Sequence, residues 1–298
     1  MLGQAALELP GGKVRGKRRS EKVHRPTSTP VEFGSYREVQ RLYESGDVTD
    51  AVAVADKNLR TETDEIERIR LLVVKGSAIF ELGRATEGIQ ILRAAMEVAK
   101  DGDPEADFAA TWSLFSRESQ FYRPAELLPT LGRVRQVSAR LGNPFSIAGL
   151  HLGMARLEAY RGHCLDARRH VEIARTAAAR LELTSLIAGI DLVDTSLEII
   201  AGNLDRAGIS AKSCFEVSVQ LGLGILRAGA STNLGYLALC RGDLRRSHHY
   251  LAHAVSLADN FSFIRIAVLD NLAQVALYEE DFDQCGKFIE ECGKVIAA

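Results

Sequence analysis

The sequence predicts an all-α chain, an α-solenoid of about seven antiparallel helical hairpins. Three observations predict it. The first is composition. Of 298 residues, 46% are hydrophobic, only 6% are aromatic and only 7 are proline. That mixture favours helices packed through small residues over strands. The second is periodicity. Ile66, Ile69, Leu72, Val73 and Ile79 recur at three- and four-residue steps, the spacing of one helix face. The third is repetition. Gly46, Gly83, Gln120, Gly162, Gly202, Gly242 and Glu280 occupy equivalent positions, spaced by 37, 37, 42, 40, 40 and 38 residues.

The stretch Asn233 to Ala254 sets the pattern. Leu234 and Leu237 precede a Gly242-Asp243 turn, and Leu244, Leu251 and Val255 follow it. Glycine or aspartate there ends one helix and starts the next. Three small columns accompany each anchor: seven residues before it, five after and twelve after. The first unit carries Val39, Ala51 and Asn58. The second carries Gly76, Gly88 and Ala95. The third carries Ser113, Ala125 and Gly132, and the fourth Ala155, Ala167 and Ala174. The fifth carries Thr195, Ala207 and Cys214. The sixth carries Gly235, Ser247 and Ala254, and the last Ala273, Cys285 and Cys292. Antiparallel helices joined by a short turn approach backbone to backbone only where side chains shrink. The third unit departs most. Arg123-Pro124 suits a helix start, while Pro129 would kink or delay that helix and Gly132 weakens it. An irregular hairpin is expected there, which leaves room for a bend near 120–145. Leu221-Gly-Leu-Gly reads as a loop between hairpins, with Gly222 as a helix C-cap.

Leu234-Gly235, Ala238, Gly242-Asp243-Leu244, Leu251, Ala254 and the Asn271-Leu272-Ala273 opening the next unit resemble the tetratricopeptide repeat (TPR) family. The resemblance covers roughly residues 32 to 298. The common unit is about 34 residues, and these are longer. Longer units resemble those in the regulatory solenoids of bacterial transcription activators. HEAT and armadillo repeats share the length but lack the Gly-Asp turn followed five residues later by a small residue. The resemblance implies a right-handed superhelix. It also implies a non-catalytic scaffold for a protein or peptide, the sensing or interaction arm of a bacterial regulator in transcription or signal transduction. The alternative is a small-molecule sensor with its ligand inside the superhelix near Arg156, Tyr160, Tyr236 and Tyr278.

Two domains follow: a basic disordered arm over 1–31 and a repeat domain over 32–298. Residues 1–30 hold seven basic and two acidic side chains, +5, against −7 for the remainder. A basic arm can touch phosphates, but no aromatic is interleaved to stack on bases. A solvated leader or linker is the better reading, and nucleic acid is only weakly suggested. The overall charge of −2 gives no general pull towards nucleic acid or membrane. No apolar run reaches the roughly 18 residues of a membrane span. Five cysteines without paired spacing fit a reducing, cytoplasmic setting.

Candidate chemistry is sparse. His249 and His253 lie one helical turn apart beside His248, but a zinc site needs three or four ligands. They are expected to face outward. Cys285 and Cys292 fall in packing columns, where cysteine is a small hydrophobe. Cys164 next to His163 lacks a third catalytic partner. Asp191, Asp194 and Glu198 share a helix face and read as a solvated acidic stripe. Trp112 replaces the Leu234 type of position and reads as core. No catalytic residue, metal or cofactor is expected.

In the TPR resemblance, the first helix of each unit lines the concave face. Its exposed positions map to Arg70, Ser77, Asp107, Arg117, Arg156, Ser196, Thr232, Tyr236, Asp270 and Gln274. Asn233 and Asn271 join them, because in peptide-binding relatives such an asparagine hydrogen-bonds the ligand backbone. Some relatives grip a terminal carboxylate with two basic residues. The corresponding Ala267 and Asn271 disfavour that at this end. The chain finishes at Ile296-Ala-Ala without a polar capping helix. Either a longer protein or a homodimer through the C-terminal end is therefore expected.

Overall fold

The computed structural model describes residues 35–297 apart from 101 and 121. The basic arm lies outside the described residues. Fourteen helices follow one another among the described residues. They are α1 (Ser35–Ser45), α2 (Val48–Leu59), α3 (Glu65–Glu81), α4 (Ala85–Ala99), α5 (Pro104–Glu118), α6 (Leu128–Leu141), α7 (Pro144–Tyr160) and α8 (Cys164–Ala179). Then come α9 (Thr184–Ile200), α10 (Leu204–Leu221), α11 (Gly224–Cys240), α12 (Leu244–Leu257), α13 (Ser262–Tyr278) and α14 (Phe282–Ala297). They pair into seven hairpins. Polar caps start several of them: Asp64, Asp103, Asn143 and Asp243 each accept a hydrogen bond from the backbone N–H three residues on.

The anchors close the hairpins by one recurring device. Gly46, Gly83, Gly162, Gly202 and Gly242 have φ between 73° and 101°, and Glu280 reaches 61°. The next N–H then reaches back five residues. Asp47 donates to Leu42, Arg84 to Ile79, His163 to Glu158, Asn203 to Glu198, Asp243 to Ala238 and Asp281 to Ala276, at 2.8–3.2 Å. This is the helix-terminating bond that a left-handed residue permits. The third hairpin lacks it among the described residues. Its link spans 119–127, and α6 begins at Leu128 with Pro129 in its first turn. Pro129, not Pro124, therefore starts that helix, and Ala125 is exposed in the link instead of packed.

Elsewhere the small columns do what close approach requires. Ala51, Ala167, Ala207 and Ser247 are fully buried, as are Ala95, Ala174, Cys214 and Ala254. The Ser247 hydroxyl donates to the Gly235 carbonyl at 2.9 Å, a contact open only to a short side chain. In the last hairpin the columns loosen. Cys285 and Cys292 are half-buried, and α14 contains no fully buried residue because it packs principally on α13. Trp112 is half-buried between two core clusters and stacks on Phe115.

The odd-numbered helices touch one another along the stack, whereas the even-numbered ones touch mainly odd partners. The odd helices are thus the inner layer of a curved array. That layer also closes on itself. The α12–α13 loop inserts Phe261 among Val48, Ala78 and Ala228, and Phe263 stacks on Phe80 with ring centroids 4.8 Å apart. The Asn260 amide donates to the Gly46 carbonyl. At Gly224 a Cβ would sit 2.3 Å from the Ser45 carbonyl oxygen, so only glycine lets α11 meet α1.

The acidic stripe is not solvated. Asp191, Asp194 and Glu198 are 2%, 5% and 0% exposed. Arg168 grips Glu198 with two hydrogen bonds of 2.6 and 2.7 Å, and Arg175 pairs with Asp191 and Asp194. Ser213 and Ser210 donate to Asp191 and Asp194. The long arginines of α8 reach across to α9 and neutralise it. No helix among the described residues is long and apolar enough to cross a membrane.

Candidate functional site in the concave face

Closure shortens the groove that the repeat pattern implies. Ser77 lies beside Ala78 in the closing contact and is buried, and Thr232 is buried with its hydroxyl spent on the Ala228 carbonyl. Asp107 is fully buried against α6, held by Arg133 at 2.6 Å and Arg140 at 3.2 Å. Arg70 pairs with Glu67. These four are internal or locally engaged rather than free groove positions. Asp270 remains exposed and accepts from Gln274. Asn271 is mostly buried, yet neither its amide nor that of Asn233 is hydrogen-bonded among the described residues.

Among the described residues, two clefts are lined mainly by inner-layer helices. The first lies between α7 and α9 and brings together Arg156 and Ser196, with Tyr160, Ile200, Leu192, Ser119 and Gln120 around them. Its volume is about 210 Å³. The second lies between α11 and α13 and joins Tyr236 and Gln274 to Cys240, Leu239 and Tyr278, with about 450 Å³. Tyr160, Ile200 and Tyr278 are 50%, 53% and 71% exposed. These side chains stand two residues before their anchors, a column that the mapped positions stop just short of. Its signal in the sequence is a bulky apolar or aromatic residue beside three of the turns, where the other units carry Glu44, Glu81, Glu118 and Cys240.

Beside the first cleft lies a polar cluster that links three inner helices. Arg117 of α5 donates to the Tyr43 hydroxyl of α1 and, at 3.3 Å, to Glu81 of α3. Burial pushes the Glu81 carboxyl up, against the opposing pull of Arg117. Burial also pushes the Tyr43 hydroxyl above its ordinary range. Arg156 of α7 donates to the Ser116 hydroxyl at 3.0 Å. Burial lowers its pKa, and neighbouring Arg117 lowers it further. Sequence reading missed Glu81, Tyr43 and Ser116, which are ordinary residues until the third dimension joins them.

His248, His249 and His253 do not converge. His248 contacts Glu279, His253 contacts Ser231, and His249 lies against Tyr250. Among the described residues, no group of three or more His, Cys, Asp or Glu side chains is placed to hold a metal.

Seven hairpins with a continuous inner layer and inward-facing clefts define the class: a TPR-like helical solenoid. No family model matches the chain, and no curated protein matches its sequence. Solved structures match its fold. One is a Rap protein complexed with competence and sporulation factor, at a TM-score of 0.64 and 13% identity, covering 88% of this chain and 73% of that one. Another is NprR in complex with its cognate peptide NprX, at 0.55 and 12%, covering 87% and 76%. A third is aspartyl phosphate phosphatase F from Bacillus subtilis, at 0.54 and 11%, covering 88% and 69%.

Proposed function

We propose that the chain is a non-catalytic scaffold whose concave face binds an extended peptide or protein segment, as the sensing or interaction arm of a regulatory system in signalling or transcription. The observation that carries this reading is the row of bulky exposed side chains at the inner helix ends, Tyr160, Ile200 and Tyr278, flanking two clefts. Aromatic surface left in water beside polar groups marks an interaction site. The fold likeness to NprR, solved with its cognate peptide, supports the same reading. The unengaged amides of Asn233 and Asn271 offer donor and acceptor together to a passing peptide backbone. The test is retention of synthetic peptide pools by the immobilised chain. Tyr160→Ala and Tyr278→Ala together should reduce retention at least tenfold, because each aromatic anchor contributes about 1–2 kcal/mol or more. Unchanged retention would end the proposal.

A second reading has its own support. The α11–α13 cleft, at about 450 Å³, falls within the ~300–1,000 Å³ of small-molecule sites. Thermal-shift screening of metabolites beside peptides separates the two. The apolar stripe Phe282, Ile289 and Ile296 on α14, each more than 60% exposed, supports a homodimer through that helix, which sedimentation velocity would test.

A further inference from the structure

We infer that α14 pairs antiparallel with α14 of a second copy of this chain, each helix seating its large apolar side chains on the other's glycines. The inference deepens the homodimer reading of that helix and rests on it, adding a direction and a register.

The helix is two heptads of nearly one sequence. Phe282-Asp-Gln-Cys-Gly-Lys-Phe is followed by Ile289-Glu-Glu-Cys-Gly-Lys-Val, and Ile296 opens a third. A seven-residue period keeps one side of a helix turned towards a helical partner along its length. Here the period serves two sides. Phe288 packs on the core cluster of α11 to α13, and Cys285, Cys292 and Val295 are half-buried beside it. A second side carries Phe282, Gly286, Ile289, Gly293 and Ile296, all exposed, at steps of four, three, four and three. That alternation is the seam of a two-helix coil. Nothing covers it among the described residues: the three large side chains are each more than 60% exposed, and a Cβ added to Gly286 or Gly293 would meet nothing within 4 Å.

Size and charge together select the occupant. Large residues and glycine alternate along the seam. A two-fold axis crossing α14 at the level of Lys287 and Phe288 sets Phe282 opposite Gly293 of the second copy, and Ile289 opposite its Gly286. The reciprocal contacts follow by symmetry. Each large side chain then meets a gap, and the axes can approach to the near end of the ~8–10 Å range. The edge beside the seam reads Asp283, Lys287, Glu290 and Lys294, alternating in sign. Read backwards it has the opposite signs. An antiparallel copy therefore brings Asp283 to Lys294 and Lys287 to Glu290, each twice. Lys294 already pairs with Glu290 on its own helix at 2.8 Å, whereas Asp283 and Lys287 form no ion pair among the described residues. A parallel pair has neither feature. Large side chains would meet large ones, glycine would meet glycine, and the charged edge would lie against Cys285 and Cys292. Two heptads make a small interface, so a Kd on the order of 10 μM is expected.

The experiment is sedimentation velocity of the full chain over a concentration series, with circular dichroism confirming that each variant is folded. Lys287→Glu with Lys294→Glu makes the edge wholly acidic, and Asp283→Lys with Glu290→Lys makes it wholly basic. All four positions are exposed. Each double variant alone should dimerise about tenfold more weakly than wild type, and an equal mixture of the two should recover a dimer, less so at high salt. Gly286→Gln with Gly293→Gln fills the gaps while improving helix propensity, and it should also weaken the dimer at least tenfold. A wild-type chain that stays monomeric well above that Kd overturns both the homodimer and this pairing. A wild-type dimer unaffected by the charge variants, with no gain on mixing, overturns the antiparallel pairing and leaves a homodimer of another geometry. A dimer that tolerates both glutamines overturns the seating on glycine.

Discussion

Backbone-to-backbone packing within a hairpin is testable with one substitution made at two places. In the second hairpin α3 and α4 cross at Gly76 and Gly88. A Cβ added to Gly88 would lie 2.6 Å from the Gly76 carbonyl oxygen and 2.8 Å from the Phe80 nitrogen. Both are backbone atoms, so no side-chain rotation relieves the clash. The helices must move apart by several tenths of an ångström, loosening Phe80 and Leu92, which are fully buried. Overpacking of this kind costs about 1–3 kcal/mol, and the backbone contact places it near the upper end. Alanine's better helix propensity returns about 1 kcal/mol. Gly88→Ala should therefore lose about 1–2 kcal/mol. Gly132 is the converse. It is exposed on α6, and a Cβ there would meet nothing within 4 Å, so Gly132→Ala should gain about 0.5–1 kcal/mol. Urea denaturation followed by far-ultraviolet circular dichroism measures both, with unchanged m-values showing that stability alone moved. A Gly88→Ala midpoint at or above wild type would refute the backbone-contact argument. A Gly132→Ala midpoint below wild type would refute the assignment of that position.

Other expectations follow from single positions. Glu280 holds φ 61° at an anchor where the regular units carry glycine, so Glu280→Gly should relieve left-handed strain and gain about 0.5–1 kcal/mol, read as a higher urea midpoint. Phe261→Ala should cost about 3–5 kcal/mol, and hydrogen exchange should rise in α1, α2 and the start of α11 before it rises in α7–α10. At Glu198, burial alone would raise the carboxyl pKa, but hydrogen bonds from Arg168 and Asn203 hold it below its ordinary 4.5. Because the folded value is depressed, its contribution is full above pH 4.5 and is lost as pH falls through that lower value. Glu198→Gln should therefore flatten the acid limb of the stability profile, and an unchanged limb would count against the pairing.

The hairpin phase was legible because it is local. A turn residue, a five-residue reach-back and three small columns all lie within one unit, and the left-handed Glu280 shows that position can outweigh residue type. The third unit was legible as irregular, but the choice between Pro124 and Pro129 depended on where Leu127 found a core. The acidic stripe was misread because helical spacing shows only that three carboxylates share a face. Their neutralisers, Arg168 and Arg175, sit on the preceding helix. Ring closure was illegible for a stronger reason. Gly46 and Asn260 are 214 residues apart, and no periodic pattern encodes a meeting at that distance. Ser77 is buried beside Ala78 of that closing contact, while Arg156, Ser196, Tyr236 and Gln274 still line clefts.

Set against the other interior arginines, Arg156 is informative. Arg133 ties α6 to α5 through Asp107, Arg168 and Arg175 tie α8 to α9, and Arg117 ties α5 to α3 through Glu81. Each joins neighbouring helices and has a carboxylate to do it with. Removing one partner of such a pair costs about 3–5 kcal/mol, because the other charge is left stranded. Arg227 also lacks a carboxylate partner among the described residues, but it lines neither cleft. Among the described residues, Arg156 alone combines a missing counterion, a second guanidinium beside it and a cavity in front of it. If its role were only to join α7 to α5, the Ser116 hydroxyl would serve a glutamine as well. Arg156→Gln should then leave stability unchanged and ligand retention intact. If Arg156 instead contacts the ligand in the concave face, the same variant should fold at least as stably as wild type, since an uncompensated cation has gone, and should lose retention. Stability retained with binding lost distinguishes a group that contacts the ligand from a structural one, and a variant that still binds would leave Arg156 as a residue that only joins α7 to α5.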